Sequence, residues 1–471
     1  MATMDNAYQD ATQSGVDLVV GLGASGYSCA RFLARQGRDL RVVDSRYEPP
    51  FAGQLRDTLP EVDVEFGEFD DLPLDDVDRV ITSPGIPSSV PLLKRAFKLG
   101  LPVISDIELF ALAAPSQILG ITGSNGKSTV TSWIAHLLEE AGMSCLSGGN
   151  LGVPALDLLD GEIPDYYVLE LSSFQLERTH NLHLKAGAIL NIGTDHVDHH
   201  GSVENYRRAK WQMLRHCQTA ILHAPLIGSS EFAKSVDKRM TEVVLYGAEP
   251  DNGITYHLAH SEIEGEQQDG TLTQSWLCRN GERLLPTSVL KVFGHHNHLN
   301  ALAVLALADC CGLEFKNVVH GMTSFAGLDH RMQWVGESRG VTWINDSKGT
   351  NSDATIAALK SVTSDVVLIA GGQGKGDNFL SLAQVLADAR HVVGVVLIGE
   401  DAAAIEGALR TCNFNRLMVN AASMDEAVTK AETLANGNGT VLLSPACASF
   451  DMFEGYQARG DAFVQAWREL A

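Results

Sequence analysis

The chain has 471 residues, with 35 Lys plus Arg against 58 Asp plus Glu and a formal net charge of −23 at pH 7. That length suggests about three domains, and the acidic balance excludes broad electrostatic binding to nucleic acid or to an anionic membrane surface. With 45% hydrophobic and 20% charged residues, the composition favours buried cores over disorder.

No Lys or Arg precedes Arg31, so the basic region of a signal peptide is missing and a cytoplasmic location is expected. The first apolar run, Leu18–Gly21, leads into Gly21-Leu-Gly-Ala-Ser-Gly26, a complete G-x-G-x-x-G predicted to open a helix. A second run, Leu40–Asp44, puts an acid 18 residues after Gly26. This is the dinucleotide fingerprint: glycines let a pyrophosphate approach the backbone at a helix N-terminus, and the acid takes a ribose hydroxyl. Arg46, beside Asp44, can meet a phosphate, so the motif points to a diphosphate more firmly than to NAD. A turn used only for tight packing is the plain alternative.

After a further run at Val80–Ser83, a domain joint is expected near Gly100–Asp106. The strand Ile118–Thr122 then runs into Gly123-Ser124-Asn125-Gly126-Lys127-Ser128-Thr129 at a helix start. Backbone N–H groups there would cradle nucleotide phosphates, Lys127 would reach the outer ones, and Ser128 or Thr129 would hold Mg²⁺. The strict P-loop spacing fails, because Ile occupies position 121 and the glycines fall at 120 and 123. A Gly-rich turn with a solvated lysine is the plain alternative.

Glu170, in Glu170-Leu-Ser-Ser-Phe-Gln-Leu-Glu177, stands at the carboxyl end of the next predicted strand, where open α/β sheets bind ligands. The run Ala188–Ile192 delivers Asp195 and His196 in the same way, as ligands or supports for Mg²⁺. Zinc at His196, His199 and His200 is disfavoured, since no HExxH frame or cysteine partner accompanies them; His199 and His200 are expected at the surface. Residues 245–293 weaken into polar, Gly-punctuated pieces, expected to form short antiparallel strands or a surface excursion. Gly294-His-His-Asn297-His-Leu-Asn300 opens a long apolar helix, where Asn297 and Asn300 share a face and either bond a nucleobase or ribose or serve as caps. The run Ala301–Ala308 is too short to span a bilayer.

A second joint is expected near Ser324–His330. Beyond it, three loops follow predicted strands: Asn345-Asp346-Ser-Lys348-Gly-Thr350-Asn351, Ala370-Gly-Gly-Gln373-Gly-Lys375, and Ser444-Pro-Ala-Cys-Ala-Ser449-Phe450-Asp. Scarce lysines gathered at strand ends argue for small anionic ligands. The eight cysteines include no CxxC pair and one vicinal pair, Cys310–Cys311, which suits thiols in a reducing cytosol. Short β-branched runs alternating with helical stretches make the class α/β, with mostly parallel sheets.

No G-x-S-x-G elbow and no protein-kinase signature is present. A diphosphate site, a Mg·NTP site and a small-anion site fit ATP-driven joining of two acceptors through an acyl phosphate better than hydride transfer. An NAD-dependent oxidoreductase and a nucleotide-switched binding protein are the alternatives from other classes.

Gly-Ser-Asn-Gly-Lys-Ser-Thr, Glu-Leu-Ser-Ser-Phe-Gln-Leu-Glu, Asn-Asp-Ser-Lys-Gly-Thr-Asn and Ser-Pro-Ala-Cys-Ala-Ser-Phe-Asp, in that order, resemble the Mur ligase family over essentially the whole chain. The resemblance implies three domains: a Rossmann-like UDP-substrate domain over 1–106, a P-loop-type ATPase domain over 107–327 and a Rossmann-like amino-acid domain over 328–471. The last two segments are most similar to the member that adds D-glutamate to UDP-N-acetylmuramoyl-L-alanine; a sibling adding another amino acid is the close alternative. It implies ATP at Gly123–Thr129, Asn297, Asn300, Arg331 and Asp346, and the UDP substrate at Ser25, Asp44, Ser45, Arg46, Ser83, Gly85, Asn150, Ser172 and Gln175. D-glutamate would meet Lys348, Thr350, Lys375, Ser449 and Phe450. Lys127, Glu170, His196 and Lys210 would be catalytic, with Mg²⁺, two ions in all, on Ser128, Thr129, Glu170, His196 and Lys210, the last as a carbamate. Gln373 and Tyr456 depart from the family pattern, where an acid and Phe are expected. The implied protein is a monomer, with neither a nucleic-acid nor a membrane partner.

Overall fold

The computed structural model describes residues 15–470 apart from 151, 194–199, 229–231, 233–241, 252, 264–271, 293, 375 and 377. Among them are three sheets, each built on the β-branched runs that the sequence shows. The first has the order β3-β2-β1-β4-β5, with β1 Val16–Val20, β2 Leu40–Asp44, β3 Asp63–Phe66, β4 Val77–Thr82 and β5 Val103–Ser105. All its neighbours pair in parallel, and the order reverses between β1 and β4, the switch point where such sheets bind ligands. Gly26 is required here: a Cβ at that position would stand 1.8 Å from the carbonyl oxygen of Gly21. The first turn of the helix Ala24–Arg35 therefore lies directly on the strand that precedes it.

The second sheet has nine strands in the order β14-β13-β12-β11-β10-β9-β6-β8-β7. They are β6 Gln117–Thr122, β7 Cys145–Gly149, β8 Tyr166–Glu170, β9 Leu184–Ile189, β10 Cys217–His223, β11 Glu242–Gly247, β12 Ile254–Ile263, β13 Leu272–Arg279 and β14 Glu282–Pro286. From β7 to β12 the pairing is parallel. The weak polar stretch is therefore neither a surface excursion nor wholly antiparallel. β11 and β12 extend the central sheet in parallel, and β11 runs from exposed Glu242 to buried Tyr246 and Gly247.

The third sheet has the order β15-β16-β20-β17-β18-β19, with β15 Gln333–Ser338, β16 Val341–Asn345, β17 Val366–Gly371, β18 Val392–Ile398, β19 Leu417–Asn420 and β20 Thr440–Leu443. It is parallel except at β15–β16, an antiparallel hairpin. Arg339 and Gly340, at φ of 50° and 79°, form its two-residue turn and give the sheet an antiparallel edge. Buried apolar clusters cover both faces, one around Leu368, Val395 and Leu409, the other around Trp343, Val441 and Phe463.

By packing, the chain divides into two compact units. The first comprises Met1–Ser261, Trp276–Leu284 and Leu299–Gly321; the second comprises Glu262–Ser275, Leu285–His298 and Met322–Ala471. Within the first unit the first two sheets share a core cluster running from Val19, Leu22 and Ile104 to Leu169, Leu171 and Leu184. Polar bonds reinforce this joint: Ser28 Oγ donates to Asp157 at 2.6 Å, and Gln175 Nε2 donates to Asp106 at 3.1 and 3.2 Å. All eight cysteines are free thiols, and among the described residues no helix is long and apolar enough to cross a membrane.

Candidate active site

β6 lies between β8 and β9, so loops approach its carboxyl end from both directions. The chain turns there through Gly123–Gly126, with Gly126 at φ +82°, and enters the helix Lys127–Glu140. That helix starts with no side-chain cap and no acid in its first turn, which leaves its N–H groups and positive dipole end for an anion. The loop is held from β9. Ser124 N donates to Asn191 O at 3.0 Å, Asn125 N to Asn191 Oδ1 at 2.8 Å, and Asn191 Nδ2 to Asn125 O at 3.0 Å. Ser124 Oγ lies 2.7 Å from Tyr206 Oη and accepts from Gly193 N at 2.9 Å. Lys127 Nζ donates to Ser124 O at 3.1 Å.

Glu170 ends β8 almost fully buried, accepting from Ser128 Oγ at 2.7 Å and from Asn150 Nδ2 at 2.8 Å. Lys210, also buried, donates to Gly123 O at 2.8 Å, and its ammonium lies 5.0 Å above the Tyr206 ring. The structure thus brings Ser128, Glu170, Asn150, Lys127 and Lys210 around one loop. A buried carboxylate next to a hydroxyl is a hard-oxygen set that fits Mg²⁺; Lys210 as an ammonium is a cation and joins that set only once it carries an anionic group. His196, Asp195 and His199 lie outside the described residues. His200 departs from its expected place at the surface. It is buried, stacked on Phe174 at 5.3 Å, with Nε2 2.9 Å from Ser173 Oγ.

Asn297 and Asn300 lie inside the helix His295–Cys310, and both are buried, which removes the capping alternative. Asn300 Oδ1 lies 2.7 Å from where a Cβ on Gly126 would stand, so this side chain packs on the phosphate-type loop.

In the first sheet, Ser83 Oγ donates to Gly21 O at 2.7 Å and ties the two loops of the switch point together. Asp44 accepts from Leu22 N at 2.7 Å and from Arg46 N, Nε and Nη2 at 2.9, 2.8 and 2.6 Å. Its acceptor sites are filled, so Asp44 shapes the Gly-rich loop and holds Arg46; burial opposes its charge, but these bonds leave its pKa below the usual value. Ser45, Arg46 and Gly85 are exposed. Ser25 is half-buried on the helix that follows the Gly-rich turn, and burial pushes the nearby Asp106 carboxyl up to about 6. Ser172 and Gln175 face inward: they form a reciprocal capping box, and Gln175 spends its amide on Asp106.

In the second unit, Asp346 accepts from Ser444 Oγ at 2.7 Å and Met332 N at 3.2 Å, and burial raises it to about 6. The Lys348 ammonium lies 3.9 Å from the centroid of Tyr456, and its pKa is lowered by burial and by Arg331. Ser449 is buried, Thr350 is half-buried, and Phe450 is 67% exposed; Lys375 lies outside the described residues. Beneath these loops sits Arg459, 1% exposed. It donates to Ser347 Oγ and O, Cys447 O, Ala448 O and Gly371 O at 2.8–3.5 Å. Sequence reasoning missed Asn191, Tyr206 and Arg459. The first had a signal, an Asn just after an apolar strand, whereas the other two act through tertiary contacts.

Family models match three consecutive blocks: a MurD-like Mur ligase N-terminal domain over residues 16–105, the Mur ligase middle domain over 121–308, and a Mur ligase glutamate ligase domain over 330–447. The UDP-N-acetylmuramoylalanine--D-glutamate ligase of Nitrosococcus oceani is 40% identical over 460 residues, covering 97% of each chain. The enzyme of the same name from Pseudomonas aeruginosa is 39% identical over 464 residues, covering 96% of this chain and 98% of its own. In fold, the chain is similar to the crystal structure of UDP-N-acetylmuramate-alanine ligase from Thermotoga maritima, with TM-score 0.55, 21% identity and coverage of 97% and 100%.

Proposed function

Because the chain belongs to the Mur ligase family, we propose that it joins D-glutamate to UDP-N-acetylmuramoyl-L-alanine in peptidoglycan precursor synthesis, converting ATP to ADP and phosphate. The observation that carries this reading is the uncapped helix N-terminus at Lys127, flanked by Ser128 on the buried Glu170. Similarity over nearly the full length to D-glutamate ligases selects the amino acid.

Residues 1–106 would take the UDP substrate, 107–327 the ATP, and 328–471 the amino acid. A carboxylate oxygen of the UDP-linked alanine attacks the γ-phosphorus of ATP, and the bond to ADP breaks. The amine of D-glutamate then attacks the acyl carbon, loses a proton, and inorganic phosphate leaves. Lys127 and the first-turn N–H groups hold and neutralise the transferring phosphoryl group. Ser128, Thr129, Glu170 and His196, with Lys210 once carbamylated, would hold Mg²⁺, which would supply charge neutralisation on the phosphates. Asn300 and Asn297, Arg331 and Asp346 position the nucleotide, Lys348 and Thr350 the incoming glutamate. The protein works as a monomer in the cytoplasm.

The test is phosphate release with each substrate omitted in turn. Release requiring ATP, UDP-N-acetylmuramoyl-L-alanine and D-glutamate supports the reading. Equal release with diaminopimelate or alanine in place of D-glutamate overturns the amino-acid assignment, and tight NAD binding without UDP-sugar binding overturns the ligase.

A further inference from the structure

A second cavity lies in the first unit, at the amino-terminal ends of β9 and β10, whereas the phosphate-type loop leaves the carboxyl end of β6. It measures about 420 Å³ and is lined by the segments Thr179–Leu184 and Gln212–Gln218, with no acidic side chain in its wall. His180, His183, Arg215 and His216 all contribute to it. In a chain of net charge −23, Arg215 is a cation with no acid in the same wall.

Arg215 is exposed and makes no ion pair or side-chain hydrogen bond among the described residues. His183 Nδ1 is taken by Asn181 O at 2.8 Å, which leaves its Nε2 edge unpaired. His216 is half-buried in the wall, and burial lowers its pKa, so its imidazole is neutral at pH 7. The nearby carboxylate, buried Glu108, already accepts from His180 N, Asn181 N and Asn181 Nδ2 at 2.6–3.0 Å. Among the described residues Arg215 is therefore left without a counter-ion, and Gln212 and Gln218 add amide donors in the wall.

We propose that this cavity is a binding site for a phosphate-bearing small molecule, separate from the nucleotide sites, with Arg215 as its principal anchor and His180 and His183 as further contacts. An Arg fork among imidazoles suits a phosphoryl oxyanion, and the volume leaves room for an organic group beside it.

The test uses the full chain labelled with ¹³C-histidine, titrated with pyrophosphate while the active site is saturated with ADP and UDP. Saturable shifts of the His180, His183 and His216 ring resonances, weakened about tenfold in Arg215→Gln, are expected; that factor corresponds to about 1.4 kcal/mol. Arg215 is exposed, so Arg215→Gln should leave phosphate release in the complete reaction unchanged, which shows that the fold is intact. Absence of saturable shifts, or shifts undiminished in Arg215→Gln, would overturn the proposal. Shifts produced by citrate but not by pyrophosphate would overturn the phosphate class.

Discussion

Replacing Arg459 by Met tests how the amino-acid loops of the second unit are held. The guanidinium is 1% exposed, and burial lowers its pKa to about 10, so it stays cationic at neutral pH. Its donors reach the carbonyl oxygens of Ser347, Gly371, Cys447 and Ala448 and the Ser347 hydroxyl. Methionine fills much of the same volume but strands these acceptors. At about 1 kcal/mol for each orphaned buried acceptor, the loss is about 3–5 kcal/mol. The partners are mainly backbone atoms of the loops carrying Lys348 and Ser449, so the KM for D-glutamate should rise more than the KM for the UDP substrate. Arg459→Lys keeps the charge but not the fork and should fall between. Urea unfolding and initial-rate kinetics read both effects. A loss below about 1 kcal/mol with an unchanged KM for D-glutamate would mean that Arg459 does not hold these loops.

Lys127→Ala should abolish phosphate release while leaving the affinity for the UDP nucleotide nearly intact by calorimetry; an equal collapse of UDP binding would contradict separate ATP and UDP sites. Asp106 gives a pH signature, because its folded pKa of about 6 lies above its ordinary 3.8. The folded state holds the extra proton between these values, so this group's contribution to stability is fully present below about pH 4 and is lost as pH rises through about 6. Above that, the buried carboxylate costs about 3 kcal/mol. Asp106→Asn should therefore flatten the slope of stability between pH 4 and 6 and raise the urea midpoint at pH 7.5; an unchanged profile would count against it.

Where chemistry is local, the sequence was informative. Gly126-Lys127-Ser128 sits at a helix start, Glu170 ends a strand, and Gly21 to Gly26 makes a strand-to-helix turn because each depends on a few consecutive residues. Asp44 was placed correctly at the end of β2, but its saturation by Leu22 and Arg46 N–H groups depends on distances that spacing does not contain. Gln175 resembles a substrate residue by motif, yet its amide is spent on Asp106, 69 positions away in the chain. Arg459 lies on a helix in the last stretch of sequence with no local mark, and only tertiary packing sets it under three loops. The antiparallel β15–β16 hairpin escaped notice because Arg-Gly is a weak turn signal beside Asn-Gly.

In the proposed reaction the UDP-linked carboxyl is phosphorylated and then captured by D-glutamate. It is tested most directly by supplying UDP-N-acetylmuramoyl-L-alanine with ¹⁸O in its carboxyl group, together with ATP and D-glutamate, and weighing the released phosphate. One ¹⁸O atom is expected in each phosphate, and no phosphate when D-glutamate is omitted. Phosphate free of ¹⁸O, or released equally without D-glutamate, would contradict it.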